Sequence, residues 1–345
     1  MTTAETRTAA PAGVTIRPFD GEYEQLIAIQ KAIDPDHFGT VEGWRFHDSN
    51  WPHDKFFRLR LVAETPDGRI VGSGQVQHMP WQFHPDKYGL NVQVHPAHQR
   101  QGIGSALFER LLGAVRERGA TAVRSDTQES RRAAIDFLAH RGFGEIQRYW
   151  ESRLDVAGFD FDAFSTAEAR AAANGITLTT LAAELEQHEQ PSTGAAGAQG
   201  VSYKEEMLRA IYEMDQAAFM DVPFPDPATQ IPWEEWRKYI LDAPNRLPDA
   251  FFLAKYGNRY VGLSNMSHNP DQPGILHQGF TGVIREYRGK GVAMALKLQT
   301  VKYARDHGYR EIRTGNNTRN RPMLRINEAM GFVKQPVWIE YEKSL

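Results

Sequence analysis

The chain has 345 residues, a net charge of −3 at neutral pH and no cysteine. The lack of cysteine excludes disulfides, thiolate metal sites and a cysteine nucleophile. A slight acidic surplus argues against a general nucleic-acid binder, because phosphate contacts need a basic surplus. No apolar run approaches the ~20 residues of a membrane span, and the polar start lacks the apolar core of a signal peptide. We therefore expect a cytoplasmic protein that binds neither nucleic acid nor membrane.

Hydrophobic periodicity predicts alternating strands and helices in the first half of the chain. Residues 34–57 are rich in aromatics and lack a period, so they are predicted to be irregular, either a substrate lid or a loop that covers core. Strands are predicted at 14–19, 59–64, 69–79, 88–95, 121–125 and 145–154, and helices at 22–33, from the turn at 99–102 to about 118, and at 130–140.

The second half shows the same order of elements. Residues 155–172 are predicted to be a helical or loose connector, and 187–201 a mobile insertion, because they contain few large apolar side chains. Strands are predicted at 176–180, 250–256, 259–268, 275–284, 310–314 and 334–342, and helices at 203–218, around 233–236, after the turn at 288–291, and at 321–330.

Residues 281–293 contain the end of a strand, a basic turn with glycines and the start of a helix. The turn has the spacing Arg288-x-x-Gly291-x-Ala293. A helix N-terminus has unpaired backbone N–H groups and a partial positive charge, so this junction predicts a phosphate site. The same pattern occurs earlier as Gln99-x-x-Gly102-x-Gly104, again between a strand and a helix. The chain therefore carries two similar anion loops.

The two loops belong to a long internal repeat with an offset of 189 residues. An offset of this length indicates two copies of one domain, because a solenoid has a far shorter period. Further residue pairs share the offset: Val94 and Val283, Val123 and Ile312, Gly142 and Gly331, and Phe143 and Phe332. The predicted organisation is a disordered start at 1–13, a first domain at 14–155, a linker at 156–174 and a second domain at 175–345.

The pattern [Q/R]-x-x-G-x-[G/A] holds the pyrophosphate of coenzyme A in the GNAT superfamily of N-acetyltransferases, and the chain resembles a tandem member with a layout similar to that of mycothiol synthase. The resemblance implies an α/β fold (α+β, mixed sheet) of two GNAT domains, each a mostly antiparallel central sheet flanked by helices. It also implies acetyl-CoA as cofactor. The implied cofactor-binding residues are Val92, Gln93, Val94, Gln99, Arg100, Gln101, Gly102, Ile103, Gly104 and Ser105 in the first repeat, and Thr281, Gly282, Val283, Arg288, Gly289, Lys290, Gly291, Val292, Ala293 and Asn320 in the second.

Acetyl transfer to an amine needs a base for the ammonium proton, a donor for the thioester carbonyl and a proton for the departing thiolate. At the position of the family's glutamate base the chain has Tyr88 and His277, and the alternative for His277 is a structural hydrogen bond. At the position of the family's tyrosine acid it has Leu138 and Asn327. Because leucine cannot donate a proton, the first repeat departs from the family pattern. The second would need water, Tyr341 or another tyrosine, or would use no acid at all.

The resemblance therefore predicts transfer of acetyl from acetyl-CoA to an amine of a small molecule, mainly in the second repeat, with His277, Asn327 and Tyr88 as candidate catalytic residues. Two alternatives remain open. One is a non-enzymatic sensor or scaffold that binds coenzyme A, and the other is a protein lysine or N-terminal acetyltransferase. We expect no metal and a monomer or homodimer.

Overall fold

The computed structural model describes residues 10–36, 39–189 and 203–345. The chain divides into two compact units. Unit 1 contains residues 1–148 and 338–345, and unit 2 contains residues 149–337. In each unit a mostly antiparallel sheet is flanked by helices, which confirms the predicted fold class.

Unit 1 is built on a sheet with the strand order β1-β2-β3-β4-β5-β13. All neighbouring pairs are antiparallel except the parallel pair β4–β5. The strands are β1 Thr15–Pro18, β2 Arg58–Glu64, β3 Ile70–Gln77, β4 Lys87–Val94, β5 Ala122–Gln128 and β13 Trp338–Ser344, and β6 Gly144–Asp155 begins in this unit. The helices are α1 Tyr23–Ile33, α2 Val41–Ser49, α3 Ile103–Arg116 and α4 Arg132–Ala139.

Unit 2 has a sheet in the order β6-β11-β10-β9-β8-β7, to which its part of β6 contributes Tyr149–Asp155. Only the pair β10–β11 is parallel. The strands are β7 Ile176–Thr180, β8 Arg246–Tyr256, β9 Arg259–His268, β10 Ile275–Val283, β11 Glu311–Asn317 and the short β12 Val333–Lys334. The helices are α5 Ala167–Ala173, α6 Leu181–Glu189, α7 Tyr203–Phe219, α8 Trp233–Leu241, α9 Val292–Asp306 and α10 Arg321–Ala329.

One stretch differs from the sequence-based expectation, and two others lie largely outside the described residues. The segment predicted to be irregular at 34–57 contains α2, which begins where the Thr40 hydroxyl accepts a hydrogen bond from the Gly43 N–H at 3.0 Å. Such an N-cap satisfies an otherwise unpaired donor, and it outweighs the weak periodicity of the segment. Of the predicted insertion, residues 187–189 end α6 and residues 190–201 lie outside the described residues. The first nine residues of the predicted disordered start also lie outside them.

The last strand of the chain lies in unit 1. β13 pairs with β5 over seven residues, from Trp338 opposite Gln128 to Ser344 opposite Ala122. In unit 2, the edge of β11 is instead covered by Tyr149–Asp155, the end of β6. The boundaries of the compact units therefore differ from those of the predicted domains. The end of β6, from the first repeat, pairs with β11, and β13, from the second repeat, pairs with β5. Periodicity predicts a strand at 334–342 but carries no signal for its partner.

The packing of β13 gives a test of this arrangement. Ile339 is buried and lies opposite Thr127 of β5. We expect Ile339→Ala to destabilise unit 1 by about 2–4 kcal/mol, since it leaves a cavity in a packed core. Amide hydrogen exchange should therefore speed up mainly in β5. The matched variant Ile312→Ala, in the buried part of β11, should act mainly on unit 2. Faster exchange in β11 rather than β5 for Ile339→Ala would contradict the assignment of β13.

Candidate functional site

In unit 1 the two parallel strands of the sheet part half-way along. β4 pairs with β5 only from Lys87 to Gly89. It continues to pair with β3 as far as Val94. The edge of β4 from residue 90 to 94 therefore faces an opening between the strands. This segment contains the predicted cofactor-binding residues Val92, Gln93 and Val94.

The loop after β4 has left-handed backbone at two alternate positions, Arg100 (φ 63°) and Gly102 (φ 88°). The second repeat has the same geometry at the matching positions, Gly289 (φ 76°) and Gly291 (φ 85°). A left-handed residue other than glycine costs about 1 kcal/mol, so Arg100 is strained where Gly289 is not. Backbone of this kind turns successive N–H groups to one side and forms an anion-binding concavity. The structure thus gives both predicted phosphate loops one backbone shape.

The first residue of each motif ties the loop to the strand before it. Gln99 donates from Nε2 to the Val94 carbonyl at 3.0 Å, and Arg288 donates from Nε to the Val283 carbonyl at 2.8 Å. These two bonds are equivalent in the repeat. The long polar side chain at this position therefore holds the loop at the strand end.

A cavity of about 1040 Å³ occupies the opening in unit 1. It is bounded by β4, the loop, the first turn of α3, the end of β5 and α4, with Trp338 of β13 also in its wall. Five basic residues line it, Arg100, Arg131, Arg132, His140 and Arg141, and outnumber the three carboxylates of the lining, Asp34, Asp126 and Asp136. Arg131 pairs with Asp34 at 2.7 Å. Ser105, a predicted cofactor residue, accepts a hydrogen bond from Arg141 at 2.7 Å. The cavity therefore combines unpaired helix N–H groups with positive charge, which suits a phosphate-bearing ligand.

The corresponding opening in unit 2 lies where β10 leaves β11. The parallel pairing ends at Gln278, whereas the pairing with β9 reaches Val283. The register shifts between Gln278 and Thr281, and the Phe280 N–H donates to the Asn265 side chain at 3.0 Å. β10 thus has a bulge at its opening, whereas the pairing of β4 with β3 shows no such shift. Bulges re-aim backbone groups and occur next to active sites.

The loop of unit 2 makes ion pairs within its own unit. Asp221 accepts hydrogen bonds from Arg285, and from Arg288 at 2.6 Å. The bonds from Arg285 are the main cause of the lowered pKa of Asp221, about 2, and Arg288 adds to the effect. The carboxylate reduces the positive charge that the loop offers to a phosphate.

The candidate catalytic positions of the first repeat lie in an apolar environment. Tyr88 is buried, stacks on the His78 ring at 4.4 Å and meets the Phe57 ring edge-on at 6.1 Å. Leu138 is also buried and lies in the cavity wall. Packing of this kind is typical of a core tyrosine. Tyr88 and Leu138 therefore do not supply the base and the acid of the family pattern at the opening of unit 1.

His277, the candidate base of the second repeat, lies on β10 opposite Arg313 of β11. Burial lowers the pKa of His277 from 6.5 to about 3, and the guanidinium groups of Arg313 and Arg153 contribute to the shift. The imidazole is therefore neutral at physiological pH. A base with so low a pKa takes a proton only weakly.

The asparagines predicted near the last helix have local partners. Asn320 is the N-cap of α10 and accepts from the Met323 N–H at 3.3 Å. Asn327 is buried and donates from Nδ2 to the Asn316 side chain at 2.6 Å. The Oδ1 atom of Asn327 is buried and has no hydrogen-bond partner among the described residues. At the position of the family's acid, the chain thus presents a hydrogen-bond acceptor. Tyr341, the alternative donor, lies in β13 of unit 1.

Two buried polar side chains, Gln30 and Lys297, lie outside the sequence motifs. Gln30 of α1 is buried in the cavity wall of unit 1, and its Oε1 atom has no hydrogen-bond partner among the described residues. Lys297 of α9 is buried against the sheet of unit 2. Both residues interrupt apolar helix faces, and that interruption is the signal that a search for buried polar residues would use.

Over the described residues, no three His, Cys, Asp or Glu side chains form a group that could hold a metal ion. Within the same ranges, no helix is long and apolar enough to cross a membrane.

Comparison with known proteins agrees with this geometry. The family model for the acetyltransferase (GNAT) family matches residues 23–143 and 208–332, which is more than half of the chain. The chain belongs to this family. The two matches also confirm the tandem GNAT layout predicted from the repeat.

Two curated relatives named mycothiol acetyltransferase match over most of their length. The relative from Pseudarthrobacter chlorophenolicus is 24% identical over 263 residues, which cover 74% of this chain and 71% of the relative. The relative from Thermomonospora curvata is 23% identical over 288 residues, covering 83% of this chain and 82% of the relative. A solved tandem GNAT protein from the clavulanic acid biosynthesis pathway superposes with a TM-score of 0.69 at 19% identity, covering 96% of this chain and 98% of that one. At this identity the superposition establishes the fold.

The residues of this GNAT protein fit the coenzyme A of the family. The left-handed backbone at Gly102 and Gly291 turns loop N–H groups to one side, which suits a pyrophosphate, and basic side chains line the cavity of unit 1. The open edges at 90–94 and 281–283 offer backbone donors for the pantetheine arm and the thioester. Coenzyme A, when bound, supplies the acyl group as an activated thioester.

Substitution of the loop glycines tests whether both loops hold the cofactor. We expect Gly102→Trp and Gly291→Trp each to lower acetyl-CoA affinity at one site by at least about tenfold, ~1.4 kcal/mol, because a bulky side chain on this left-handed backbone strains the loop and displaces its N–H groups. Isothermal titration calorimetry should show one fewer tight site in each variant and none in the double variant.

The repeat offers matched controls for these variants. Gly119 (φ 79°) and Gly308 (φ 74°) have the same left-handed backbone in open space, and they lie 189 residues apart at the ends of α3 and α9. Gly119→Trp and Gly308→Trp introduce the same backbone strain away from the loops. Unchanged affinity and stoichiometry in both loop variants would contradict the assignment of the loops.

The lowered pKa of His277 predicts a pH dependence of stability. The unfolded chain binds the imidazole proton near pH 6.5 and the folded chain only near pH 3. Unfolding therefore takes up a proton between these values, and stability falls as the pH falls through this window. Between pH 7 and pH 4 the loss is on the order of 3 kcal/mol.

The substitution His277→Gln should remove this loss while leaving stability at pH 8 close to that of the wild type. Urea unfolding at a series of pH values measures it. A variant with the same loss between pH 7 and pH 4 as the wild type would show that His277 is not buried as described.

Proposed function

We propose that this GNAT protein transfers the acetyl group of acetyl-CoA to an amine of a small molecule, with turnover in the second repeat and cofactor binding in both. The observation that most directly supports cofactor binding is the cavity of unit 1, which is bounded by the parted strands and the anion loop. The matching loop and strand opening of unit 2 support a second cofactor site.

The relatives support a small-molecule acceptor. Both are named mycothiol acetyltransferase, and each matches over more than two thirds of its own length. Identity of 23–24% leaves the acceptor of this chain open to experiment. We therefore propose the class of acceptor, a small molecule that bears an amine.

Differences between the repeats support turnover in the second. In the first repeat, Tyr88 packs among aromatic rings, and the apolar side chain of Leu138 cannot act as an acid. In the second, His277, Asn316 and Asn327 bring polar atoms to the matching positions. We propose that the first repeat binds cofactor without turning it over.

The geometry narrows the roles of the candidate catalytic residues. Because His277 is neutral and weakly basic, we propose that it accepts a hydrogen bond from the attacking amine or from a water that takes the proton onward. The unpartnered Oδ1 of Asn327 accepts a hydrogen bond and cannot supply the proton of a missing acid. The departing thiolate then needs another donor in the second repeat.

Turnover measurements test the division between the repeats. Acetyl-CoA is mixed with a panel of small amines, and release of coenzyme A is followed as free thiol. We expect Gly291→Trp to abolish turnover by removing the cofactor from the second repeat. Gly102→Trp should retain most of it, and Gly119→Trp and Gly308→Trp serve as folded controls. Full activity in Gly291→Trp with none in Gly102→Trp would reverse the assignment. Half activity in each would indicate two independent catalytic sites.

The alternatives make different predictions in the same experiment. A sensor or scaffold would bind acetyl-CoA and release no thiol with any amine. A protein acetyltransferase would release thiol with lysine-bearing peptides and not with small amines.

A further inference from the structure

Lys297, in the middle of α9, is 1% exposed although its side chain ends in an amine. Its Nζ donates to the Gln278 side-chain oxygen at 2.5 Å and lies 4.7 Å from the centre of the Phe332 ring. Its partners in the described part of the chain are thus an amide and a ring, with no carboxylate among them. Burial lowers the pKa of Lys297 to about 7.

A lysine in such a place costs stability. Removing an ammonium from water costs several kcal/mol unless a counter-ion offsets it. The first repeat shows that the fold does not need the charge. At the position 189 residues earlier it has Phe108, which is buried against the rings of Phe137 and Phe143.

Gln278 extends the contact into a network of four side chains. Its amide nitrogen donates to the hydroxyl oxygens of Ser264 at 2.7 Å and Thr281 at 2.8 Å. These two hydroxyls also lie 2.8 Å from each other. Because Lys297 donates to the Gln278 oxygen, the amide nitrogen is fixed on the side of the hydroxyls.

The network lies where the strands of unit 2 part. Gln278 is the last residue of β10 that pairs with β11, and Thr281 is the first residue after the bulge. The first repeat has Gly89, Gly74 and Val92 at the positions of Gln278, Ser264 and Thr281. None of them has a side-chain donor. The polar network and the bulge therefore occur together in one repeat and are both missing from the other over the strands described here.

A count of protons shows what the network leaves available. Each hydroxyl accepts from Gln278, and the bond between the hydroxyls uses one of their two protons. One hydroxyl proton remains without an acceptor inside the network. Ser264 is completely buried, whereas Thr281 is partly exposed. Because a buried hydroxyl proton without an acceptor is costly, the arrangement in which Ser264 donates to Thr281 is favoured, and it leaves the remaining proton on Thr281 at the strand opening.

We propose that Lys297 and Gln278 are positioning residues that orient the Thr281 hydroxyl as a hydrogen-bond donor to the thioester carbonyl oxygen of an acyl-CoA in the second repeat. The inference rests on the proposed function, since it requires acetyl-CoA in that repeat. It supplies a side-chain donor at a site where Asn327 replaces the family's acid. A preorganised donor at a developing oxyanion is worth about 10²–10³ in rate.

Carbon NMR of [1-¹³C]acetyl-CoA tests the donor directly, without knowledge of the acceptor. The experiment uses the full chain with Gly102→Trp, so that bound cofactor reports on the second repeat. A hydrogen bond to the carbonyl oxygen moves the carbonyl resonance downfield on binding. We expect Lys297→Met and Thr281→Val each to reduce this displacement by about half or more while calorimetric affinity for acetyl-CoA stays within about threefold.

The control is Lys302→Met on the same helix, whose amine pairs with Glu168 near the surface. It should leave the displacement unchanged. Thermal unfolding should show Lys297→Met to be as stable as its parent or more so, because an apolar side chain removes the cost of the buried charge. Thr281→Val tests the same donor from the other end of the network.

The outcomes separate the inference from the proposed function. Retained binding with an unchanged carbonyl displacement in both variants would overturn the role of Lys297 and Thr281 alone. Failure of the Gly102→Trp protein to bind acetyl-CoA would overturn the proposed function of the second repeat and, with it, this inference.

Discussion

The arrangement of each unit depends on one constraint, the parting of a parallel strand pair inside a sheet that is otherwise antiparallel. While β4 pairs with β5, or β10 with β11, the backbone donors and acceptors of both strands satisfy each other. Where the strands part, those groups need other partners, since buried backbone groups are rarely left unpaired. The loop and helix that follow add unpaired N–H groups at the same place. A ligand with a phosphate and an extended amide-bearing arm satisfies both sets, and this explains why the anion loop and the opening occur together in both units.

The two units share this backbone and differ in what lines it. Their loops are left-handed at the same two positions, and Gln99 and Arg288 make the same bond to the strand end. Around the openings, however, unit 1 has Tyr88 and Leu138 in apolar packing, whereas unit 2 has His277 and Asn327 at the matching positions. Anion binding by such a loop depends mainly on backbone N–H groups, whereas catalysis depends on side chains. Two copies of one domain can therefore share a binding loop and differ in catalytic side chains.

Sequence patterns predicted the fold and the loops because both are local. The repeat offset, the glycines at 102 and 291 and the apolar periods depend on residues close together in the chain, and structure and family comparison agree with them. The exchange of β13 could not be predicted, since the alternation of an amphipathic strand is the same whichever sheet it joins. The lowered pKa of His277 could not be predicted from the sequence either. Its lowering comes from burial and from arginines on two other strands, β11 and β6, whose proximity only the folded sheet creates.

A buried charge is informative because nothing in the packing requires it. Phe108 fills the place of Lys297 in the first repeat, so an apolar residue is compatible with this helix and sheet. Net stability is a small difference between large terms, and an unpaired buried ammonium subtracts from it. The cost falls where the pairing of β10 with β11 stops, in the network that joins Lys297 to Thr281 through Gln278. Strained or costly groups persist at functional sites when the surrounding structure holds them for a purpose, here the fixed direction of a hydrogen-bond donor. By the same reasoning the unpartnered oxygen of Gln30 marks the cavity of unit 1 as a place where a ligand with a donor group would complete the structure.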